Sequence, residues 1–249
     1  MKILVCDRLE EKVLDKFEEL GEITNISESK TKNEDLISNI VDTEIVVIRS
    51  GTKINKDILE NANNLKIIAR CGVGVDNVDV EEATNKKIYV TNSPNANIIS
   101  VAELTIGLII SAARKIHVSN NSLKDKKWDR NKFLGTELYQ KQLGLVGFGK
   151  AAKEVAKRLS AFGMNIVFYD PYVDSSTIEA KKVDLDELLK TSDVISIHVV
   201  KTEETTNLIN NEKLNLIKKG GILVNTSRGG IIDEESLFQK ANEDLIFAG

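Results

Sequence analysis

The sequence contains few of the residues that mark disulfide-stabilised, metal-binding or membrane-spanning proteins. Its 249 residues include two cysteines and two histidines. Cys6 and Cys71 form neither a disulfide framework nor a metal-ligand spacing, so we expect no metal and a reducing, cytoplasmic compartment. No apolar run reaches the length of a membrane span, and the apolar stretch at residues 3–6 is too short for a signal peptide.

The chain also lacks a large excess of positive or negative charge. The chain carries 34 Lys and Arg against 38 Asp and Glu, which gives a formal net charge of −4. No basic excess therefore points to nucleic acid or to an anionic membrane surface, and we expect neither as a partner. The length and the 41% share of hydrophobic residues suit a globular protein with one large domain or two ordinary ones.

Residues 143–152 predict the turn of a dinucleotide-binding βαβ unit. An apolar, strand-like run ends in Gly147 and Gly149, and a helix-forming run follows. Gly147 permits a sharp turn out of the strand, and Gly149 lets a pyrophosphate approach the backbone. The third glycine of such turns packs helix on strand, a role that alanine also fills. The phosphates are expected to meet the first backbone N–H groups of the helix, those of Lys150, Ala151 and Ala152.

The next strand-like run, residues 165–169, ends in Asp170. We expect its carboxylate to accept hydrogen bonds from the adenosine ribose hydroxyls. Its negative charge would repel a 2′-phosphate, which favours NAD over NADP as the cofactor. The alternative interpretation is a strand-end acid that caps the turn before Pro171.

Strand-like and helix-like runs alternate through the whole chain, which predicts α/β architecture with parallel sheets. We expect two doubly wound domains, residues 1–95 and residues 96–249. A long apolar helix is predicted at residues 98–116, and a polar, basic surface segment around Trp128 at residues 120–135.

Ligands of open parallel sheets bind outside the carboxyl ends of the strands. Arg49 and Arg70 close two strands of the first domain and suggest an anionic substrate, although each alone also fits a solvated surface residue. Cys71 is either a reactive thiol or a small packed residue.

His198 either contacts the cofactor or is structural. The strand ends of the second domain carry His198, Val199, Thr226, Ser227 and Arg228. These ends would converge with those of the first domain if the two domains face each other across a cleft.

Three longer motifs resemble those of the D-isomer-specific 2-hydroxyacid dehydrogenases. Residues 72–79, Gly-Val-Gly-Val-Asp-Asn-Val-Asp, resemble the glycine loop of the family's substrate domain. Residues 101–108 resemble its interdomain helix, and residues 225–234 its catalytic arginine signature. The resemblance covers essentially the whole chain. It implies a flavodoxin-like substrate domain at residues 1–95 and a Rossmann NAD-binding domain at residues 96–249.

The resemblance also implies a reaction, the NAD-dependent transfer of a hydride from C2 of a D-2-hydroxy acid. Arg228 would hold the carboxylate and polarise the forming carbonyl. The amides around Val73 and Gly74 would also bind the carboxylate. Acid–base help would come from a histidine oriented by a glutamate.

Residues 127–138 are most similar to the family members that oxidise 3-phospho-D-glycerate in serine biosynthesis. In that case Arg49 and Arg70 would hold the substrate phosphate. Arg130 would reach the site of a neighbouring subunit, in a homodimer formed through the NAD-binding domain.

The sequence departs from the family at two places. Val200 stands where a proline usually follows the strand-end histidine. The family's catalytic glutamate and histidine, and the segment that completes its substrate domain, correspond to positions beyond Gly249. Neither His117 nor His198 matches that histidine, so we expect residues 1–249 alone to be nearly inactive. Two alternatives stay open, a glyoxylate/hydroxypyruvate reductase and a non-catalytic NAD-binding protein that resembles the co-repressors of this fold.

Overall fold

The structure, a computed structural model, describes residues 1–27 and 32–249. The chain divides into two units, Met1–Asn97 and Ile98–Gly249. Each unit is built on one parallel sheet, and each sheet has helices on its faces.

The first unit has five parallel strands in the order β2-β1-β3-β4-β5. The strands are β1 Lys2–Val5, β2 Glu22–Asn25, β3 Ile45–Ile48, β4 Ile67–Arg70 and β5 Tyr89–Asn92. The helices are α1 Glu11–Glu18, α2 Asn33–Ile40, α3 Lys56–Asn61 and α4 Val80–Asn85. This is the flavodoxin-like order, in which the direction of the winding reverses between β1 and β3. The apolar side chains of β1 and β3, except the partly buried Ile45, are almost completely buried because helices cover both faces of a parallel sheet.

The edge strand β2 was not predicted. Its sequence, Glu-Ile-Thr-Asn, has one apolar residue, and only Ile23 is partly buried. Edge strands are covered less than central ones, so their hydrophobic pattern is weak.

The second unit has six parallel strands in the order β11-β10-β9-β6-β7-β8. The strands are β6 Gln142–Val146, β7 Asn165–Tyr169, β8 Lys181–Lys182, β9 Val194–Ile197, β10 Ile222–Asn225 and β11 Ile246–Ala248. The helices are α5 Ile98–Arg114, α6 Ile116–Lys124, α7 Lys150–Ser160, α8 Leu185–Thr191, α9 Asn211–Leu214 and α10 Glu234–Glu243, with a 3-10 turn at Arg130–Phe133. This is the Rossmann order, with its switch point between β6 and β9. The predicted fold class is therefore confirmed for both units.

The long helix predicted at residues 98–116 is two helices. Helix α5 ends at Arg114 because Lys115 adopts the left-handed conformation, with φ 54°. Helix α6 begins at Ile116 and extends into the segment predicted to be polar surface. It has no buried residue, and its polar run at residues 119–122 is why the sequence indicated surface there.

Candidate functional site

The carboxyl ends of β7, β6, β9 and β10 lie side by side in the second unit, because these strands are neighbours in the sheet. This edge brings together the predicted cofactor-binding residues, which are Asp170 after β7, the turn at residues 147–152 after β6, His198 and Val199 after β9, and Thr226, Ser227 and Arg228 after β10.

Gly147 turns the chain sharply at the end of β6. Its φ is 87°, a left-handed conformation that favours glycine. A Cβ at this position would lie 2.9 Å from the carbonyl carbon of His198 and 2.9 Å from Cγ1 of Val199. The turns after β6 and β9 therefore pack directly on each other, and both the conformation and the lack of space require glycine at position 147.

Gly149 is the N-cap residue of α7 and has open space beside it. No heavy atom lies within 4 Å of the place where its Cβ would be. The N-terminal N–H groups of a helix have no partner within the helix, and the helix dipole favours negative charge there. Ala152 is fully buried against the sheet, as its predicted packing role requires. This open, positively polarised turn fits the pyrophosphate of a dinucleotide.

Asp170 connects the glycine turn to the end of β7. One carboxylate oxygen accepts a hydrogen bond from the Phe148 N–H at 2.7 Å. The other accepts from the N–H groups of Tyr172 and Val173 at 2.8 and 3.1 Å. The cap before Pro171 is thus present, and it holds the half-buried carboxylate beside the turn. Because each carboxylate oxygen has two lone pairs, this cap leaves room for a ribose hydroxyl as a further donor.

Phe148, between the two glycines, faces the core. It is fully buried, and its ring stacks on that of Phe168 with centroids 4.0 Å apart. Its side chain therefore anchors the turn in the core, and its backbone N–H donates a hydrogen bond to Asp170.

His198 is half-buried at the end of β9. Its N–H donates to the Val146 carbonyl oxygen at 2.7 Å, and its Nε2 lies 2.9 Å from the hydroxyl of Ser196. Burial lowers the pKa of His198 from 6.5 to about 4. The imidazole is therefore neutral at neutral pH.

The signature after β10 folds into a tight turn held by Asn225. Its Nδ2 donates to the Arg228 carbonyl oxygen at 2.8 Å, and its Oδ1 accepts from the N–H and hydroxyl of Ser227 at 3.0 and 2.7 Å. The Thr226 hydroxyl lies 2.8 Å from that of buried Thr105 in α5. Arg228 is half-buried, and its Nη1 donates to the Ser227 carbonyl oxygen at 2.9 Å. A cavity of about 300 Å³ adjoins this turn.

The two arginines predicted to bind an anion follow neighbouring strands of the first unit. Arg49 comes directly after β3 and is exposed, and Arg70 is the last residue of β4 and is 8% exposed. Burial raises the pKa of the Cys71 thiol, the positive charges of Arg49 and Arg70 lower it, and the charge of Asp7 raises it. The charges of Arg49, Arg70 and Asp7 therefore all act on one thiol at the carboxyl edge of the sheet.

The glycine loop lies against Arg70. A Cβ on Gly72 would lie 1.4 Å from Nη1 of Arg70, so the guanidinium fills the space that a side chain at position 72 would need. Val73 is 37% exposed, and its carbonyl oxygen accepts a hydrogen bond from Asn92 at 2.7 Å. Gly74 follows and is half-buried.

Arg130 lies apart from the sheet edges, in the 3-10 turn of the second unit, where it is exposed. Trp128, two residues earlier, is 76% exposed.

Sequence reasoning missed several residues that hold these turns. Asp7 lies two residues after the end of β1, so the strand-end rule that selected Arg49 and Arg70 would also have selected it. Asn77 and Thr105 lie within the motifs at residues 72–79 and 101–108, but their contacts were not predicted because their partners are distant in the sequence.

Residues 1–27 and 32–249 contain no group of three or more His, Cys, Asp or Glu side chains placed to hold a metal ion. None of their helices has the length and apolar character needed to cross a membrane.

Residues 106–248 match the family described as D-isomer specific 2-hydroxyacid dehydrogenase, NAD binding domain. The D-3-phosphoglycerate dehydrogenase of Methanocaldococcus jannaschii is 47% identical over 252 residues, with 100% of this chain and 48% of that protein covered. The hydroxypyruvate reductase of Thermotoga maritima is 44% identical over 247 residues, with 99% of this chain and 80% of that protein covered. The NAD⁺-bound 3-phosphoglycerate dehydrogenase of Entamoeba histolytica has a TM-score of 0.84 at 34% identity, with 99% of this chain and 79% of that chain covered.

The chain thus spans about half the length of the D-3-phosphoglycerate dehydrogenase from M. jannaschii and most of the length of the hydroxypyruvate reductase. The predicted family and the predicted cofactor, NAD, are confirmed by these matches. The chain belongs to the D-isomer-specific 2-hydroxyacid dehydrogenases and carries their NAD-binding domain.

Proposed function

We propose that the chain forms the dehydrogenase part of an enzyme that oxidises 3-phospho-D-glycerate to 3-phosphohydroxypyruvate with NAD. Residues 1–95 would bind the substrate, and residues 96–249 the cofactor. The observation that carries the proposal is the pair Arg49 and Arg70 at neighbouring strand ends of the first unit. Two guanidinium groups suit a doubly charged phosphate. The identity to D-3-phosphoglycerate dehydrogenases along the whole chain supports it further.

The cofactor would bind at the carboxyl edge of the second sheet. When bound, NAD supplies a nicotinamide ring that accepts the hydride from C2 of the substrate. The glycine turn would receive the pyrophosphate, and Asp170 the adenosine ribose. His198 and Val199 after β9, and Thr226 and Ser227 after β10, would line the same edge.

Arg228 would hold the substrate carboxylate and polarise the carbonyl as it forms. A fixed guanidinium stabilises negative charge on oxygen better in the transition state than in the alcohol, so it accelerates the reaction. The Asn225 turn supports this role because it fixes the backbone on both sides of Arg228. The N–H groups around Val73 and Gly74 would also bind the carboxylate.

A homodimer formed through the NAD-binding domain is part of the proposal. The segment around α6 exposes large apolar side chains, with Leu123 55%, Trp128 76% and Leu134 75% exposed. Exposed apolar side chains in one segment are typical of an interaction surface. Arg130 would extend from this segment towards the substrate of the neighbouring subunit.

The test is to measure NADH formation by the full-length protein from 3-phospho-D-glycerate and from D-glycerate. Arg49→Ala and Arg70→Ala should each raise KM for the phosphorylated substrate far more than for D-glycerate, because each removes a phosphate contact and leaves C2 untouched. Equal weakening of both substrates would refute the phosphate assignment.

A hydroxypyruvate reductase is the second candidate, favoured by the 44% identity to a relative of which the chain covers 80%. In that case hydroxypyruvate would be reduced with NADH at a kcat/KM well above that for 3-phosphohydroxypyruvate. The two Arg→Ala variants would then have similar effects on both substrates.

A further inference from the structure

The segment that carries Arg49 is held by two side chains from other parts of the first unit. The Arg49 loop, residues 49–52, connects β3 to the region before α3. One carboxylate oxygen of Asp7 accepts hydrogen bonds from the N–H of Arg49 at 2.6 Å and from that of Thr52 at 3.2 Å. The Nδ2 of Asn77 donates to the carbonyl oxygens of Arg49 and Thr52, at 2.7 and 2.5 Å.

Both ends of the Arg49 loop are therefore fixed through both of their backbone polar groups. Thr52 is only 4% exposed, so its backbone groups are shielded from water and need protein partners. Asp7 supplies acceptors and Asn77 supplies donors, so the two side chains are complementary and not redundant.

Gly51 leaves the space that the Asp7 carboxylate occupies. A Cβ on Gly51 would lie 2.4 Å from the second carboxylate oxygen of Asp7. That carboxylate cannot move away without breaking its bonds to Arg49 and Thr52. A side chain at position 51 would therefore clash with Asp7 only while Asp7 is hydrogen-bonded to the Arg49 loop.

Asn77 also connects the Arg49 loop to the glycine loop. It belongs to residues 72–79, which contain Val73 and Gly74. The backbone just after the Arg49 loop also pairs with the end of the glycine loop. The Ile54 N–H donates to the Asn77 carbonyl oxygen at 2.9 Å, and the Asp79 N–H donates to the Ile54 carbonyl oxygen at 2.8 Å.

We propose that Asp7 and Asn77 are positioning residues of the substrate site, which hold Arg49 in place to bind the phosphate. Asp7 acts on the phosphate subsite alone. Asn77 acts on the phosphate subsite and on the carboxylate-binding amides together. This inference rests on the proposed function, which assigns those two subsites.

The negative charge of Asp7 suggests a second role, which is to weaken the positive electrostatic potential of Arg49 and Arg70. The two roles differ in what Asp7→Asn does. An amide oxygen can accept both N–H bonds, so positioning survives in Asp7→Asn and is lost in Asp7→Ala. If the role of Asp7 were purely electrostatic, both variants would change KM by the same amount, because both remove the negative charge.

The experiment uses the full-length protein and compares KM and kcat for 3-phospho-D-glycerate with those for D-glycerate. Asp7→Ala should raise KM for the phosphorylated substrate by about tenfold, with kcat and the KM for D-glycerate nearly unchanged. Asp7→Asn should restore a KM close to that of the wild type. Asn77→Ala should raise KM for both substrates.

Gly51→Ala disturbs the Asp7 carboxylate without removing any polar group from the substrate site. It should reproduce the KM effect of Asp7→Ala, because the added methyl displaces the carboxylate. In the double variant Asp7→Ala/Gly51→Ala the methyl has nothing to displace, so KM should be no higher than in Asp7→Ala alone.

Cys71 provides a readout that does not depend on turnover. It is half-buried beside Arg49 and Arg70, whereas Cys6 is buried. The concentration of 3-phospho-D-glycerate that half-protects Cys71 from iodoacetamide should rise in Asp7→Ala and Gly51→Ala, and return in Asp7→Asn. The Kd for NAD should stay unchanged in all three variants, which verifies that they fold.

The outcomes separate the inference from the proposed function. If Arg49→Ala raises KM and Asp7→Ala does not, or if Asp7→Asn behaves like Asp7→Ala, the positioning role is refuted while the phosphate site stands. If Arg49→Ala itself has no effect on KM or on protection of Cys71, the phosphate assignment is wrong and the positioning role falls with it.

Discussion

Asp170 is the residue on which we expect the cofactor preference to depend. Its carboxylate is held beside the glycine turn by three backbone N–H groups, so it is fixed before any cofactor arrives. A preorganised acceptor binds a ribose hydroxyl well and repels a 2′-phosphate at the same position.

We expect Asp170→Ala to weaken NAD binding by about 1.5–3 kcal/mol, the typical value of a hydrogen bond to a charged group. Calorimetry with NAD and NADP on the wild type and the variant measures both effects. The wild type should prefer NAD markedly, and the variant should lose most of that preference. Equal affinity of the wild type for the two cofactors would contradict this assignment.

Arg228 is the residue expected to act on the reaction step itself. Arg228→Ala should lower kcat roughly 10²–10³-fold for phosphorylated and unphosphorylated substrates alike, since the lost interaction grows as the C2 hydroxyl oxygen loses its proton and gains negative charge. Steady-state kinetics of the full-length protein test this. A variant with an altered KM and an unchanged kcat would instead make Arg228 a simple binding residue.

The turn between β6 and α7 shows how one element combines two different uses of glycine. Gly147 has a left-handed backbone and no room for a Cβ, whereas the Cβ of a residue at 149 would enter empty space. The first glycine is required by the fold, and the second leaves an open space in which we expect the pyrophosphate to bind.

We therefore expect Gly147→Ala to destabilise the protein by about 1–3 kcal/mol, because alanine would have to adopt a strained conformation and push against the His198 backbone. Thermal unfolding monitored by circular dichroism measures this loss. A variant as stable as the wild type would show that the turn relaxes easily.

Gly149→Ala is the matched variant in the same turn. It should leave the melting temperature nearly unchanged and weaken NAD binding by at least about tenfold, since its methyl group occupies the space for the pyrophosphate. Unchanged NAD affinity in this variant would remove the glycine turn from the cofactor site.

At the scale of the whole molecule, stability against acid is expected to depend on His198. Its pKa is about 4 in the folded protein and 6.5 for an unperturbed imidazole. The unfolded chain therefore binds an extra proton between these values, and folding stability falls as the pH is lowered from about 6.5 to about 4.

Urea unfolding at several pH values measures this dependence, and His198→Gln is the control. The slope of the free energy of unfolding between pH 6.5 and 4.5 should be smaller in the variant than in the wild type. Identical slopes in the two proteins would mean that His198 is not the group responsible. Lysine-paired carboxylates such as Asp174 and Asp186 have lowered pKa values, so they affect stability only at more acidic pH.

The features that could be predicted from the sequence are those whose requirements are local. Glycine at 147 reflects the conformation of one residue, and the Asn225–Arg228 turn is closed by a side chain three positions away. The alternating strands and helices are likewise local patterns of apolar residues, which is why the fold class and the strand–turn–helix order around Gly147 were predicted correctly.

The remaining features depend on residues that meet only after folding. Strand β2 has almost no apolar pattern and exists because β1 offers it an edge with which to pair. Asp7 reaches Arg49 across 42 positions, and Asn77 reaches it across 28. A hydrogen bond of that kind leaves no spacing signal in the chain, because its geometry is set by the order of the strands and not by the residues between them.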